Sequence, residues 1–359
     1  MGDIATVILA AGKGTRMKSD VVKVLHPLLG RPMLSYPIRL SLDAIKAEKT
    51  IVVVGHQADR IKEIFQDLGI QFILQKEQLG TGHAVLQTIP LLEGFTGTVL
   101  ILCGDVPLVK AETLHLLIDT FLGNDSSLSV LTAVVKEPFG YGRIIRSPEG
   151  WLERIVEEKD ASEEERLVRE INTGIYCVRS RFLIEGLKEI GKENAQGEYY
   201  LTDLVEVARK RDLRCSAHMV ADPVEVMGIN TRVDLAMAHE VLRQGKVRDL
   251  MLAGVTLIDP KTTYVEKAVE VGKDTILYPN CFLLGRTRVG ERCIIEPNSK
   301  ISDSIIGDDV TIHSNSVIME SNIEEGASIG PFALLRPLSE VKAKAKIGNF
   351  VEVKKSIIL

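Results

Sequence analysis

The chain contains no run of about 18 consecutive apolar residues, and no basic stretch leads into a signal-type apolar core at its start. No membrane insertion is therefore expected, and the expected location is cytoplasmic. It also lacks an excess of basic charge: 44 Lys and Arg against 49 Asp and Glu leave a net charge of −5, which removes nucleic acid from the expected partners. Its cysteines, Cys103, Cys177, Cys215, Cys281 and Cys293, are odd in number and form no Cys-x-x-Cys pair, so neither a disulfide framework nor a zinc site is expected. Histidines stand at 26, 56, 83, 115, 218, 239 and 313 without metal-ligand spacing. What remains is an ordinary globular composition, and 359 residues suffice for two domains at the usual size of roughly 100 to 200 residues each.

The most informative segment is Val7-Ile8-Leu9-Ala10-Ala11-Gly12-Lys13-Gly14-Thr15-Arg16-Met17, followed by Lys23. An apolar run that ends in small residues, glycines and an arginine describes a buried strand emptying into a loop whose N–H groups can face a phosphate. No Gly-Lys-Ser/Thr closes it, so it is not a Walker A loop, and Met17 stands where a dinucleotide fingerprint has its third glycine. Arg16 and Lys23 supply cations in place of further glycines.

Up to about residue 225, β-rich runs at Ala5–Leu9, Thr50–Val54, Gln71–Leu74, Thr98–Leu102 and Leu128–Val135 alternate with helix-length stretches such as Asp59–Leu68 and Ala111–Phe121. This is the βαβ rhythm of a mostly parallel sheet covered on both faces, and ligands of such sheets bind beyond the carboxyl ends of the strands. The loop at Ala10–Met17 and the turn Gly104-Asp105 should then share one crevice. A helix is expected at His239–Leu252, with Val241, Leu242, Val247, Leu250 and Met251 along its apolar face. Asp160–Arg169 and Lys342–Lys346 read as solvated charge.

After that helix, aliphatic residues recur every sixth position at Val271, Leu277, Leu283, Val289, Ile295 and Ile301, after a slip at Ile306, Ile312 and Ile318, and after a second at Ile323, Ile329, Leu335, Val341, Ile347 and Val353. Four residues after most of these stands a small or β-branched residue, among them Thr275, Cys281, Thr287, Cys293, Ser299, Val310, Ser316, Ala327, Ala333, Ser339, Ala345 and Val351. Such hexads are the signature of a parallel β-helix, each making one flat side of a triangular coil. The aliphatic residue points inward and the small one fills the corner, which gives Cys281 and Cys293 a packing role.

Leu9–Met17, Lys23-Val-Leu-His26, Gln78-Leu-Gly-Thr-Gly-His83, Gly104-Asp105-Val-Pro107, Gly140-Tyr-Gly-Arg143, Ile155-Val-Glu157, Glu170-Ile-Asn-Thr-Gly174, Gln196–Asp203 and the hexads together resemble one bacterial enzyme family. Its members join an N-acetylglucosamine-1-phosphate uridyltransferase to a glucosamine-1-phosphate N-acetyltransferase and make UDP-N-acetylglucosamine for peptidoglycan and lipopolysaccharide. The resemblance implies a Rossmann-like, mostly parallel α/β domain over 1–229, a linker helix over 230–252 and a left-handed parallel β-helix of hexapeptide repeats over 253–359.

It implies UTP and N-acetylglucosamine-1-phosphate as substrates and Mg²⁺ as cofactor. Asp105 and Asn230 would hold the metal, and Arg16 and Lys23 would meet phosphate oxygens. The uridine pocket would comprise Leu9, Ala10, Ala11 and Gly12 with Gln75, Gly80 and Thr81; the sugar would meet Gly142, Glu157, Asn172 and Thr202, and Gly104 would be a further substrate-binding residue. Cys103 stands where the family often has tyrosine. Arg336 and Lys354 match sugar-phosphate ligands of the acetyltransferase site. The histidine base of that site and the rest of its acetyl-CoA pocket would follow Leu359, so the chain reads as a shortened form without acetyl transfer, acetyl-CoA being a partner only of a longer one. A homotrimer is implied as well. Another sugar or dTTP as substrate, or a non-catalytic sugar-nucleotide sensor, remain the competing readings; the full set of two cations and two metal ligands speaks against the sensor.

Overall fold

In a computed structural model that describes residues 3–359, the opening apolar run forms β1 (Ile4–Ala10). It is paired in parallel with β2 (Lys49–Val54) on one side, beyond which lies β3 (Gln71–Leu74), and with β4 (Thr98–Cys103) on the other. The sheet continues through β5 (Leu128–Val134), β8 (Glu170–Arg179) and β9 (Cys215–Met219) in the order β9-β5-β8-β4-β1-β2-β3, while β6 (Arg143–Arg146) and β7 (Leu152–Val156) form a ribbon on β8. The βαβ rhythm is thus found in β1 to β4, but β8 runs antiparallel to β4 and β5, so the sheet is mixed.

Strand period two sorts the side chains of β1 between two apolar cores. Ile4, Ile8 and Ala10 join Val52, Val54, Leu100 and Leu102 under the helix Ala111–Gly123, which contributes Leu114, Leu117 and Phe121. Ala5 and Val7 join Ile51, Val53, Val99 and Ile101 on the other face, against Val85, Leu183 and Leu204. A sheet buried on both faces explains why its central strands read as unbroken apolar runs.

The chain divides into two compact units, one formed by the residues up to His26 with Pro32–Leu235, the other by Pro27–Arg31 with Ala236–Leu359. In the second, eighteen strands of two or three residues stack into three six-stranded parallel sheets, the three faces of a left-handed β-helix. One face stacks Leu257, Leu277, Ile295, Ile312, Ile329 and Ile347 inward, and the next Val265, Leu283, Ile301, Ile318, Leu335 and Val353.

The winding begins at Leu257, two faces before the periodic run starting at Val271: Val265 is already in step six positions before Val271, and the turn Ile258–Thr262 hides only Leu257 by stretching the first interval. The corner residue is fixed two positions before the next inward residue rather than four after the last, so each slip still finds one: Ser304 precedes Ile306 and Ser321 precedes Ile323, both buried. Val351 is the exception, 38% exposed.

The helix starts at Arg232, earlier than the apolar pattern indicated, and buries Val247 and Leu250, whereas Val241 and Met251 face solvent. Arg243 takes the inward place one turn before Val247; its guanidinium is held by both oxygens of Glu240 at 2.7 and 2.8 Å and donates to the Thr263 carbonyl. In the same unit His239 bridges the 27–31 segment, Nε2 donating to Pro27 O (3.0 Å) and Nδ1 facing Leu29 N (3.4 Å).

Candidate active site

The ends of β1 and β4 close up because residue 104 is glycine: its N–H donates to Leu9 O at 2.9 Å, and a Cβ there would lie 2.9 Å from that same oxygen. After β1 the chain passes Gly14, whose φ of +63° and whose closeness to Lys23, 2.5 Å from a would-be Cβ to the lysine Cβ, both demand glycine. Short turns at Thr15–Met17 and Lys23–Leu25 then aim Arg16 and Lys23 at the carboxyl end of β4.

Four charged or polar groups meet there. Lys23 Nζ donates to Asp105 Oδ2 at 2.5 Å and to Asn230 Oδ1 at 3.1 Å, and Arg16 Nη2 donates to the same Asn230 oxygen at 2.9 Å. The backbone joins them too, since Ile229 N–H donates to the Asp105 carbonyl at 2.9 Å. Asp234 holds Asn230 in place: Oδ2 accepts the N–H groups of Asn230 (2.9 Å) and Thr231 (2.8 Å), while Thr231 Oγ1 accepts Asp234 N–H at 3.2 Å. Buried Glu225 fixes the segment leading to Asn230, accepting from Lys110 Nζ at 2.9 Å and from Thr113 Oγ1 at 2.5 Å. Neither carboxylate was singled out from sequence, although Thr231-Arg-Val-Asp234 has the spacing of a reciprocal helix cap.

Lys23 and Asp105 line a cavity of about 340 Å³ together with Leu9, Ala10, Ala11, Gly12, Gln75, Gly80, Thr81 and Cys103. A Cβ on Gly12 would meet nothing within 4 Å, so a side chain there would extend into open space. At Gly80 φ is +108° and a Cβ would sit 2.5 Å from Tyr199 O, the backbone with which Leu79 and Gly82 pair. Thr81 Oγ1 accepts Leu201 N–H at 3.1 Å. Burial first, then the Asp105 charge, push the Cys103 thiol up to about 12 against the opposing pull of Lys23, so it stays protonated, facing Gly174 O at 3.4 Å.

The residues expected at the sugar also come together. Asn172 N–H donates to Gly142 O at 2.9 Å, and a Cβ on Gly142 would lie 3.5 Å from both Asn172 Cβ and Glu157 Cδ. Thr202 Oγ1 donates to Glu157 Oε1 at 3.2 Å. Burial raises the Glu157 carboxyl above its ordinary range, opposed by that hydroxyl. Glu157 lines two cavities, one of about 220 Å³ with Tyr200, Thr202 and Asp203, the other of about 700 Å³ with Gly140, Lys159 and Gln196. The loop carrying Gly140 and Gly142 is pinned by Arg143, 2% exposed, which donates to Tyr141 O and to Glu158 Oε2 (2.6 Å).

On the β-helix, Arg336 and Lys354 follow the paired residues Leu335 and Val353 and so stand one coil apart on one face; Arg336 Nη1 donates to Glu352 at 3.1 Å. Lys342 is taken up by Glu324 and Glu340, both at 2.9 Å. Among the described residues no trio of His, Cys, Asp or Glu converges as a metal cage, and no helix is long and apolar enough to cross a membrane.

Comparison with known proteins agrees with this division. Residues 6–173 match the MobA-like NTP transferase domain, and residues 286–320 match the bacterial transferase hexapeptide repeats. The bifunctional protein GlmU of Trichlorobacter lovleyi is 52% identical over 355 residues, covering 99% of this chain and 77% of that protein. Those of a Geobacillus species and of Enterococcus faecalis are each 47% identical, over 98% of this chain and 76% of their own lengths. With such identity over nearly the whole chain, the chain belongs to the GlmU family of bifunctional enzymes, and its nucleotidyltransferase unit forms UDP-N-acetylglucosamine by uridylyl transfer.

Proposed function

We propose that Arg16, Lys23, Asp105 and Asn230 are the groups that carry this transfer, in which a sugar 1-phosphate oxygen attacks the α-phosphorus of UTP and pyrophosphate leaves. The observation behind the reading is their linkage through Lys23 Nζ, bonded to Asp105 and Asn230, and Asn230 Oδ1, shared by Lys23 and Arg16, beside the cavity lined by Leu9–Gly12, Gln75, Gly80 and Thr81. Phosphoryl transfer asks little covalent chemistry of a protein and much positioning and positive charge.

The donor set suits Mg²⁺: a carboxylate and an amide oxygen, both hard, converge on a single cation here, and Mg²⁺ commonly takes few protein oxygens with phosphate and water completing its shell. Bound there by Asp105 and Asn230, the ion would neutralise phosphate charge and orient the reacting groups. Arg16 and Lys23 then bind phosphate oxygens, Gln75 and the Gly80–Thr81 backbone read the uracil, and Glu157, Asn172, Thr202 and Gly142 hold the N-acetylglucosamine. A buried carboxylate that accepts from sugar hydroxyls or the acetamido N–H rejects sugars that lack them. Arg336 and Lys354 are assigned to a sugar phosphate on the β-helix, and head-to-tail association into a closed ring of three is the oligomer we assign.

The test is pyrophosphate release with UTP, dTTP or CTP, each with N-acetylglucosamine-1-phosphate or glucose-1-phosphate, with Mg²⁺ and after its removal by a chelator. Release with UTP and N-acetylglucosamine-1-phosphate only when Mg²⁺ is present is expected; equal release with every pair would overturn the substrate assignment. Light scattering showing a monomer at all accessible concentrations would overturn the trimer.

A further inference from the structure

Gln75 is 3% exposed, and its carboxamide nitrogen has two neighbours: Gly80 O at 3.1 Å and His83 Nδ1 at 3.1 Å. A carbonyl oxygen can only accept, so the Gln75 group that faces Gly80 is the NH₂. That NH₂ has two hydrogens, one for Gly80 and one for the imidazole. Only Oε1 is then left for the cavity that Gln75 lines.

The arrangement requires His83 Nδ1 to be an acceptor. The other ring nitrogen of His83 lies 3.1 Å from the carboxamide of Gln87, and a neutral imidazole has one acceptor nitrogen only, so the two glutamines compete for it. Burial decides the competition. Gln87 also donates to the His83 carbonyl at 3.2 Å, a bond that turning its oxygen to the ring would forfeit, but Gln87 is half-buried and water can take over its NH₂, whereas Gln75 has no water to turn to, and an unpaired buried amide costs about 1–3 kcal/mol. His83 therefore carries its proton on Nε2 and accepts at Nδ1. The ring itself is held by stacking on Tyr199, with centroids 6.1 Å apart and planes 25° from parallel.

We infer that His83 is a positioning residue for nucleotide choice: it takes the N–H of Gln75 that Gly80 O leaves free, and the two acceptors together hold the Gln75 carbonyl toward the base. A carbonyl there accepts from the N3–H of an imide such as uracil and repels the N3 lone pair of cytosine. The inference rests on the proposal that this cavity holds the base, and it adds the second of the two groups that hold the direction of Gln75. His83 touches neither the base nor the reacting atoms in this account.

The test compares kcat/KM for UTP with that for CTP, in pyrophosphate release by the full chain. This ratio does not depend on how much of a variant is folded. His83→Phe keeps an aromatic ring to stack on Tyr199 but removes one of the two acceptors, which leaves a buried N–H unpaired and Gly80 O alone to hold the carboxamide; the preference for UTP is expected to fall by roughly 10- to 100-fold. His83→Asn places an amide oxygen near the position of Nδ1 and is expected to keep most of the preference. Gln75→Ala serves as the control. An unchanged preference in Gln75→Ala overturns the base pocket and this inference with it; a lost preference in Gln75→Ala with none lost in His83→Phe overturns the inference alone.

Discussion

Buried polar side chains mean different things in the two units. In the β-helix Thr275, Thr287, Ser299, Ser304, Ser316, Ser321 and Ser339 all occupy the same slot, the corner before an inward aliphatic residue, and each is 5% exposed or less. In the nucleotidyltransferase unit Gln75, Arg143 and Glu225 are equally buried but share no slot, and each has partners of its own: the Gly80 carbonyl, the Glu158 carboxylate, the Lys110 ammonium. A repeat solves the burial of a polar atom once and reuses the solution every sixth residue. A site solves it residue by residue, with partners at no fixed spacing, 5 residues apart for Gln75 and Gly80 and 207 apart for Lys23 and Asn230.

The sharpest test of the repeated half is Ile312→Ala. Ile312 is fully buried between Ile295 and Ile329 of the neighbouring coils, and removing its branched end should cost about 2–5 kcal/mol by denaturant unfolding. A loss below about 1 kcal/mol would mean that the stacked residues do not form a packed core.

On the other side of the comparison, Asp105→Asn and Lys23→Ala should each lower turnover in pyrophosphate release by about 10²- to 10³-fold, as removal of a well-placed charge commonly does. Their melting curves should stay close to the parent's, because both side chains retain contact with water and neither fills the core. Near-parental turnover in both variants would dissolve the assignment of this knot.

The corner slot gives a smaller, two-sided effect. Ser299→Leu puts three extra carbons into a fully enclosed corner and should destabilise by about 1–3 kcal/mol. Cys293→Ser should be nearly neutral, within about 1 kcal/mol, because the thiol already donates toward Gly307 O at 3.1 Å and a hydroxyl inherits that acceptor. Equal losses in the two variants would show that the slot is selected for something other than size.

The same contrast governs what could be read without coordinates. The hexads were legible because their period is local; the turn Ile258–Thr262 breaks it before Val265, which is in step but was left out of the run, and Ser304 and Ser321 keep step with the strand that follows rather than the one before. In the nucleotidyltransferase unit the strands β1, β2, β3 and β4 were legible as apolar runs, because a doubly covered sheet leaves no polar face to break them. The strand β8 was not, since its pairing with both β4 and β5 is set by partners tens of residues away. Arg16, Lys23 and the Gly104-Asp105 turn were legible from the glycine loop and the strand ends, the other site residues came from resemblance, and the structure brings them into groups. Of the residues that hold them, Glu225 was silent because Thr113 lies 112 residues away, and Arg143 and His83 because nothing local distinguishes them from other buried arginines and helix histidines, whereas Asp234 had a local signal in its cap spacing to Thr231 that was passed over.

The smallest effect expected is electrostatic. Asp203 opens the helix Asp203–Lys210 half-buried, and its carboxyl is pushed up from 3.8 to about 6, by burial first and then by the charges of Glu206, Glu157 and Asp160, with Lys210 opposing. The sign follows from where the proton sits. Below pH 3.8 the group is protonated in folded and unfolded chains alike. Between there and about 6 the unfolded chain releases its proton while the folded one retains it, so raising the pH favours unfolding; above about 6 both are ionised and the loss is complete. Because water reaches half of the group and screens it, the loss should be about 1 kcal/mol rather than the full value the gap would give in a dry site. Asp203→Asn removes the titration. The variant's stability should therefore decline less than the parent's as the pH is raised through this window, even though the lost carboxylate also forfeits a few tenths of a kcal/mol of helix-dipole attraction at every pH where it was charged. Urea unfolding at several pH values gives both curves, and parallel curves across the window would assign the parent's pH dependence to another member of the acidic group around Glu157.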